Sequence, residues 1–353
     1  MKKICIFTNN RADYNKLEPI INYIHNNDNF ELYLIVYGSH IIYDYGNTIN
    51  SIKYPIYEKF NSLMYGNNNK IMAESCGIIM NKVPQILDKI SPDAIIIHGD
   101  RFDIFPIALC ASLMNICLIH IEGGELTGTI DEHLRHSISK LATYHFVCNK
   151  NAKKILEQMG EKSSNIFDIG CPSYDKILNL DRKIEYLSNL SGNKYNINLN
   201  KNNYILCLYH PVTTNIEESI KNYNILIDSL IKINKKILFF YPNVDNGSKK
   251  LVRIINQKKL RNNDNFLLLK TLEFEKYITL LSYCSCIIGN SSSAIREACI
   301  FGIPSIVIGT RQKNREISDN VHHLETIENE TELTNNILKL YGKRYEPNYL
   351  YGD

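Results

Sequence analysis

The run Asp93–His98 reads DAIIIH, with apolar residues at four successive positions. A strand with one wet face alternates polar and apolar side chains. An unbroken apolar run instead suits a sheet covered on both faces, the usual setting of parallel sheets. Similar runs occur at Lys3–Thr8, Phe30–Tyr37, Ile116–Ile121, Tyr144–Cys148 and Asn165–Ile169. Helical spacing lies between them. A helix over about Asn15–His25 puts Leu17, Ile20, Ile21 and Ile24 on one face. Others are expected over about Lys70–Ile90, where Pro84 predicts a kink, up to about Asn115, and over 150–160. Residues 43–69 read as a long loop with short elements. Strand and helix alternate at roughly 25–30 residues per unit, which implies βαβ units and a mainly parallel sheet. After an Asn-rich stretch (179–203) the pattern restarts, with strands at Tyr204–Tyr209, Lys236–Tyr241, Asn265–Leu269, Cys286–Ile288 and Ser305–Ile308. The expected fold is α/β, two Rossmann-like domains facing across a cleft. The expected domains are 1–172 and 173–353, with a hinge near 171–200. The length of 353 residues agrees, since single cores seldom grow past roughly 250–300 residues.

Composition removes several function classes. Hydrophobic residues at 44% and charged residues at 22% describe an ordinary globular chain, and a net charge of +3 gives no strong field. No basic block of the kind that tracks nucleic acid or an anionic membrane is present, so neither partner is expected. Of the ten cysteines, most lie in apolar runs (Cys5, Cys110, Cys117, Cys148, Cys207, Cys299), as small buried hydrophobes do. There is no C-x-x-C pair, and Cys284 and Cys286 are too close together for ordinary zinc ligation. Free buried thiols suit a reducing cytoplasm. The N-terminal apolar run is too short for a signal peptide, and none approaches the roughly 20 residues of a membrane span. A cytoplasmic location is therefore expected.

In open α/β sheets, ligands bind beyond the carboxyl ends of the strands. The unusual polar residues sit at such ends in both halves: Arg11, His40, Asp100, Glu122, His210, Asn243 and Asn290-Ser291-Ser292. The stretch Ile119–His136, IHIEGGELTGTIDEHLRH, is the densest. It carries Glu122, Glu125, Asp131 and Glu132 with His133, Arg135 and His136. Its plain alternative is a polar surface loop leading into a capped helix. Asp100, Glu122 and Asp131 are the candidates for proton chemistry, because clustered carboxylates push one another's pKa values apart into an acid and a base.

In the second half, Cys286–Pro304 reads CIIGNSSSAIREACIFGIP. Ser291 to Ser293 are expected to open a helix whose unpaired N–H groups hold a diphosphate, with Glu297 one turn in, accepting from ribose hydroxyls. The plain alternative is a serine N-cap followed by a first-turn acid. Gly302-Ile303-Pro304 and Gly309-Thr310-Arg311 favour the nucleotide reading, with Arg311 on a phosphate. His210 is expected over the cleft, with Thr214 capping the next helix. Asn243 either contacts the nucleotide or turns the chain. Arg11 and Arg101 either neutralise phosphates or, for Arg101, pair with Asp100 at the surface. No H-x-x-x-H helix pair calls for a metal, and no G-x-G-x-x-G seats a dinucleotide, so no cofactor is expected.

The runs NRADY (10–14), HGDRFD (98–103), HIEGGE (120–125), GTIDEHLRH (128–136), GCPSYDK (170–176), HPVTT (210–214), GNSS (289–292) and GTRQ (309–312) resemble the hydrolysing UDP-N-acetylglucosamine 2-epimerases. The similarity is nearest to the sialic-acid branch and the epimerase half of the animal bifunctional epimerase/kinase. It implies a GT-B type fold with a C-terminal UDP-binding domain. The implied reaction is UDP-GlcNAc plus water giving N-acetylmannosamine and UDP through 2-acetamidoglucal; the alternatives are the same hydrolysing epimerisation of a UDP-2,4-diacetamido-trideoxyhexose, or a glycosyltransferase on the GT-B fold. It implies Asp100, Glu122 and Asp131 as acid/base groups and His210 as supporting UDP departure. Arg11, Asn15, Arg101, His210, Asn243, Ser291, Ser292, Glu297 and Arg311 match its UDP contacts. A homodimer or homotetramer is implied. Lys249 and Arg253 match basic residues used for CMP-sialic acid feedback in the animal enzymes, but Asn256 replaces an arginine, so feedback is not expected. Family members continue into a further helix past the position of Asp353, so a short or truncated C-terminus is implied.

Overall fold

The computed structural model describes every residue except 44–46, 65–67, 188–189, 192–195, 198, 243–244 and 353. The chain forms two compact units. The first comprises residues 1–126, 130–179 and 351–353, and the second comprises 127–129 and 180–350. The expected boundary at 172/173 differs from this division. Ser173–Leu178 is a helix that packs on the helix Arg11–His25 and belongs to the first unit.

In the first unit the strands are β1 (Lys2–Thr8), β2 (Phe30–Val36), β3 (Glu58–Lys59), β4 (Ala94–His98), β5 (Cys117–Ile121), β6 (Tyr144–Val147) and β7 (Ile166–Asp168). They form one sheet in the order β3-β2-β1-β4-β5-β6-β7, parallel throughout. The helices are α1 (Arg11–His25), α2 (Asn69–Ile90), α3 (Phe105–Leu113), α4 (Ile130–Leu141), α5 (Lys150–Gln158) and α6 (Ser173–Leu178). Successive strand side chains face opposite ways, and the apolar runs serve both faces. Cys5, Phe7, Ile95 and Ile97 pack with α2 and α3, whereas Ile4, Ile6, Ala94 and Ile96 pack with Leu17, Ile21 and Ile24 of α1. Asn10 caps α1 by accepting from the Asp13 N–H, which fixes where that helix starts. Pro84 lies inside α2, which continues past it to Ile90.

In the second unit a short antiparallel pair, β8 (Leu190–Ser191) and β9 (Asn196–Ile197), falls in the Asn-rich stretch. The main strands are β10 (Tyr204–Leu208), β11 (Lys236–Phe240), β12 (Phe266–Leu269), β13 (Cys286–Gly289), β14 (Ser305–Ile308) and β15 (Val321–Leu324). Their order is β12-β11-β10-β13-β14-β15, again parallel. The helices are α7 (Ile216–Ile233), α8 (Ser248–Gln257), α9 (Phe274–Tyr283), α10 (Ser293–Arg296) and α11 (Glu330–Leu340). Asn215, not the expected Thr214, caps α7 by accepting from the Glu218 N–H. In both units strand order reverses between the first and fourth main strands. These are the switch points where such sheets open a crevice. No described helix is long and apolar enough to cross a membrane.

Candidate active site

At the switch point of the first unit, β4 ends in His98. The His98 Nδ1 lies 2.9 Å from Asp13 Oδ1 in α1, and its Nε2 lies 2.9 Å from Glu122 Oε2, just past β5. Lys16 Nζ donates to the same Glu122 oxygen at 2.6 Å, and Cys171 Sγ donates to the other at 3.0 Å. Asp13 and Lys16 are three residues apart in α1 and so share a face. Burial alone would lower the His98 pKa, but Glu122 and Asp13 outweigh it and raise it to about 9. His98 is therefore an imidazolium at neutral pH.

Glu122 is only 3% exposed and sits at φ +63°, a left-handed conformation that a side chain with a Cβ seldom adopts. The turn after it requires glycine. Gly124 has φ +84°, and a Cβ there would stand 2.4 Å from the Ala152 carbonyl oxygen. The turn aims Glu122 at His98 and Lys16.

Arg135 organises a second cluster in this unit. It is 1% exposed, forms an ion pair with Asp100, and donates through Nη1 to the Glu125 carbonyl at 2.6 Å. Burial opposes its charge, but Asp100, Glu125 and Asp131 outweigh that and raise its pKa. Asp131 opens α4 one turn before Arg135, so the two share a face. The Asp100 side chain stays 27% exposed. Arg101 Nε donates to Asp103 Oδ1 at 3.3 Å, and Asn9 Nδ2 reaches the same oxygen at 2.9 Å. Arg11 and Asn15 lie half-buried in the first turns of α1. His40 is fully buried between the Thr8 and Thr48 hydroxyls, at 3.1 and 2.8 Å, which makes it a structural residue.

At the switch point of the second unit, Asn290 follows β13 and His210 lies two residues past β10. The His210 N–H donates to Asn290 Oδ1, and Asn290 Nδ2 donates to the His210 carbonyl, both at 2.8 Å. The Asn290 carbonyl accepts from Arg311 Nη1 at 3.1 Å and from Gln312 Nε2 at 3.0 Å. Asn290 thus ties together His210, Arg311 and Gln312. The expected helix does open at Ser293, but it is short. α10 is a single turn with no side-chain cap from Ser292, and a 3-10 turn follows at Ala298–Phe301. A turn this short carries little helix dipole, so any anion held there depends mainly on individual N–H and side-chain donors. Ser291 and Ser292 are half-buried beside it. Glu297 stands between the two turns, and its buried Oε2 has no hydrogen-bond partner among the described residues. A buried acceptor of this kind is costly unless something donates to it. Asn243 lies outside the described residues.

Sequence reasoning gave no role to Asp13, Lys16, His98 or Cys171, and named Arg135 in the Ile119–His136 stretch without one. The signals were a histidine, His98, ending an apolar strand, and two charges, Asp13 and Lys16, one turn apart in α1.

The profile of one protein family, described as UDP-N-acetylglucosamine 2-epimerase, matches residues 22–353. The chain belongs to that family. It is 35% identical to the UDP-N-acetylglucosamine 2-epimerase of Neisseria meningitidis over 92% of its own length and 84% of that protein. It is 32% identical to the UDP-N,N'-diacetylbacillosamine 2-epimerase (hydrolyzing) of Legionella pneumophila over 91% and 84%. Among solved structures it resembles the Methanocaldococcus jannaschii UDP-GlcNAc 2-epimerase, crystallised with UDP-GlcNAc and UDP. The TM-score is 0.81 at 19% identity, covering 99% of this chain and 96% of that one. At that identity the likeness establishes the fold, two parallel-sheet α/β domains of GT-B type. The chain is an enzyme of the UDP-GlcNAc 2-epimerase family with that fold.

Proposed function

We propose that the enzyme is a hydrolysing UDP-GlcNAc 2-epimerase that converts UDP-GlcNAc and water to N-acetylmannosamine and UDP, for sialic acid synthesis in the cytoplasm. The observation that carries the reading is the contrast between two carboxylates. Asp100 is part-exposed and held as an anion by Arg135, whereas Glu122 is buried against the cations His98 and Lys16. Carboxylates in opposed settings can take opposite proton roles.

Asp100, the more reachable, removes the C2 proton as the C1–O bond to UDP breaks, leaving 2-acetamidoglucal. A proton then returns to C2 from the opposite face and hydroxide from water adds at C1, giving the inverted sugar. Glu122 is the channel for that returning proton, since His98 and Lys16 beside it are both proton donors. Asp131, sharing Arg135 with Asp100, orients the water. In the second unit, Glu297 accepts from the ribose hydroxyls and fills the partnership that its buried oxygen lacks. Arg311, Ser291 and Ser292 contact the diphosphate, and His210 supports the leaving UDP. Arg11, Asn15 and Arg101 contact the nucleotide from the first unit's residues, and Asn243 from the second's.

The test is incubation with UDP-GlcNAc in D2O without an acceptor, followed by NMR of the sugar. Free UDP with N-acetylmannosamine deuterated at C2 is expected. UDP-ManNAc as the product, or unchanged nucleotide sugar, would overturn the hydrolytic reading. The 32% identity to a diacetylbacillosamine 2-epimerase favours a second reading, a UDP-2,4-diacetamido-trideoxyhexose substrate. Competing the two nucleotide sugars in one reaction decides between them.

A further inference from the structure

Three neighbouring parallel strands of the first unit each deliver one soft or anionic group at the carboxyl end. Glu122 follows β5, Cys148 follows β6, and Cys171 follows β7 by three residues. A Glu122 oxygen and the two sulfurs lie within 4.8 Å of one another, and the three residues are 3%, 2% and 3% exposed. The proposed reaction uses neither thiol. We propose that Glu122, Cys148 and Cys171 form a binding site for one thiophilic divalent cation of the zinc or cadmium class, and that its occupancy silences Glu122.

Two thiolates and a carboxylate are the donors such ions prefer, with bonds of about 2.3 Å to sulfur and about 2.0–2.2 Å to oxygen. Sulfurs about 3.8 Å apart span a tetrahedral ion at those lengths, so small rotations about the Cys148 and Cys171 side-chain bonds suffice. The carboxylate is divided in a way that suits this. Lys16 holds Oε2, while Oε1 already faces Cys171 Sγ at 3.0 Å, leaving Oε1 to meet the ion. Cys148 directly precedes Asn149, the N-cap of α5, and a helix N-terminus favours a thiolate. Ser173 Oγ, 3.1 Å from Cys171 Sγ, supplies a supporting hydrogen bond. Binding exchanges two thiol protons for one dication, so the charge of the buried cluster is unchanged. The ion is an inhibitor and not a cofactor.

Inhibition rests on the role proposed for Glu122, but binding does not, and the experiment reads both. The full chain, kept reduced with a phosphine, is titrated with cadmium chloride while the thiolate-to-cadmium charge-transfer absorption is followed. One equivalent is expected to saturate the band in the wild type, and Cys148→Ser/Cys171→Ser is expected to lose it. A band of equal strength in the double variant would overturn the site. So would a Cys148–Cys171 disulfide in the isolated protein with no cadmium uptake after reduction. UDP release is then measured with zinc chloride. Wild-type activity is expected to fall and to return with EDTA. Cys148→Ser, with ordinary basal activity, is expected to need at least about ten-fold more zinc. Equal zinc sensitivity in wild type and variant would overturn the inhibitory claim. If no UDP is released even without metal, the epimerase reading fails while the cadmium titration still decides the site.

Discussion

His98 Nε2 and Glu122 Oε2 stand 2.9 Å apart, with Asp13 on the other ring nitrogen and Lys16 on the same Glu122 oxygen. This buried row alternates in charge, so removing one member leaves a neighbour uncompensated. His98→Gln keeps a hydrogen-bonding side chain but removes the positive charge between Asp13 and Glu122. Breaking a buried pair in this way costs about 3–5 kcal/mol. The expected outcome is a loss of that order in urea unfolding and a fall of at least about 100-fold in kcat, with UDP affinity nearly unchanged. Full activity in a folded His98→Gln variant would remove His98 from the proton path.

The histidines predict how stability varies with pH. His98 is raised to about 9 from an ordinary value of 6.5, so its contribution is complete below about pH 6.5 and is lost as pH rises through about 9. His40 and His120 behave oppositely. Burial lowers them to about 4 and about 3, so both are neutral in the fold. Their contributions are present above about pH 6.5 and are lost as pH falls towards those values. Stability from these groups should therefore peak near pH 6.5. It should decline on either side by up to about 1.4 kcal/mol per pH unit for each titrating group. Denaturant midpoints measured from pH 4 to pH 9 (roughly the window spanned by these shifts) check this. In His98→Gln the alkaline decline alone should flatten.

Much of the architecture was legible because the strands are buried on both faces and read as continuous apolar runs. β15 was missed for the converse reason. Its sequence VHHL breaks the run, yet both histidines are satisfied, His322 by the Tyr345 hydroxyl and His323 by the Gly309 carbonyl, each at 2.7 Å. The start of α10 was legible in Ser291–Ser293, but its single-turn length was not, because the backbone tightens to a 3-10 turn after Glu297. At the candidate site, motif and strand end together picked out Asp100 and Glu122. The partners of each were not readable. Arg135 lies 35 residues from Asp100, and Lys16 lies 106 residues from Glu122, so only the sheet order brings them together.

The roles proposed for the two carboxylates predict different defects. Asp100→Asn should lose turnover by about 10²–10⁴-fold and exchange no deuterium into recovered substrate, because the first proton transfer fails. Glu122→Gln should lose overall turnover comparably but still release some UDP with 2-acetamidoglucal, because the hydration step fails. NMR of both reaction mixtures distinguishes the cases. Identical product patterns would mean that the two carboxylates act in the same step.

Asn290 and Glu297 carry the prediction for the second unit. Asn290→Ala removes both hydrogen bonds to the His210 backbone and leaves the Asn290 backbone partners in place. Two net hydrogen bonds are worth roughly 1–3 kcal/mol together. The expected result is lower stability in urea unfolding and also weaker UDP binding, because His210 loses its anchor. Glu297→Gln should leave stability nearly unchanged or slightly improved, since an amide is cheaper to bury than an unpartnered carboxylate oxygen. Its UDP affinity should fall by about ten-fold or more as the charged acceptor for the ribose hydroxyls is lost. Calorimetric titration with UDP measures both variants. A Glu297→Gln protein that binds UDP as tightly as the wild type would show that this carboxylate does not meet the ribose.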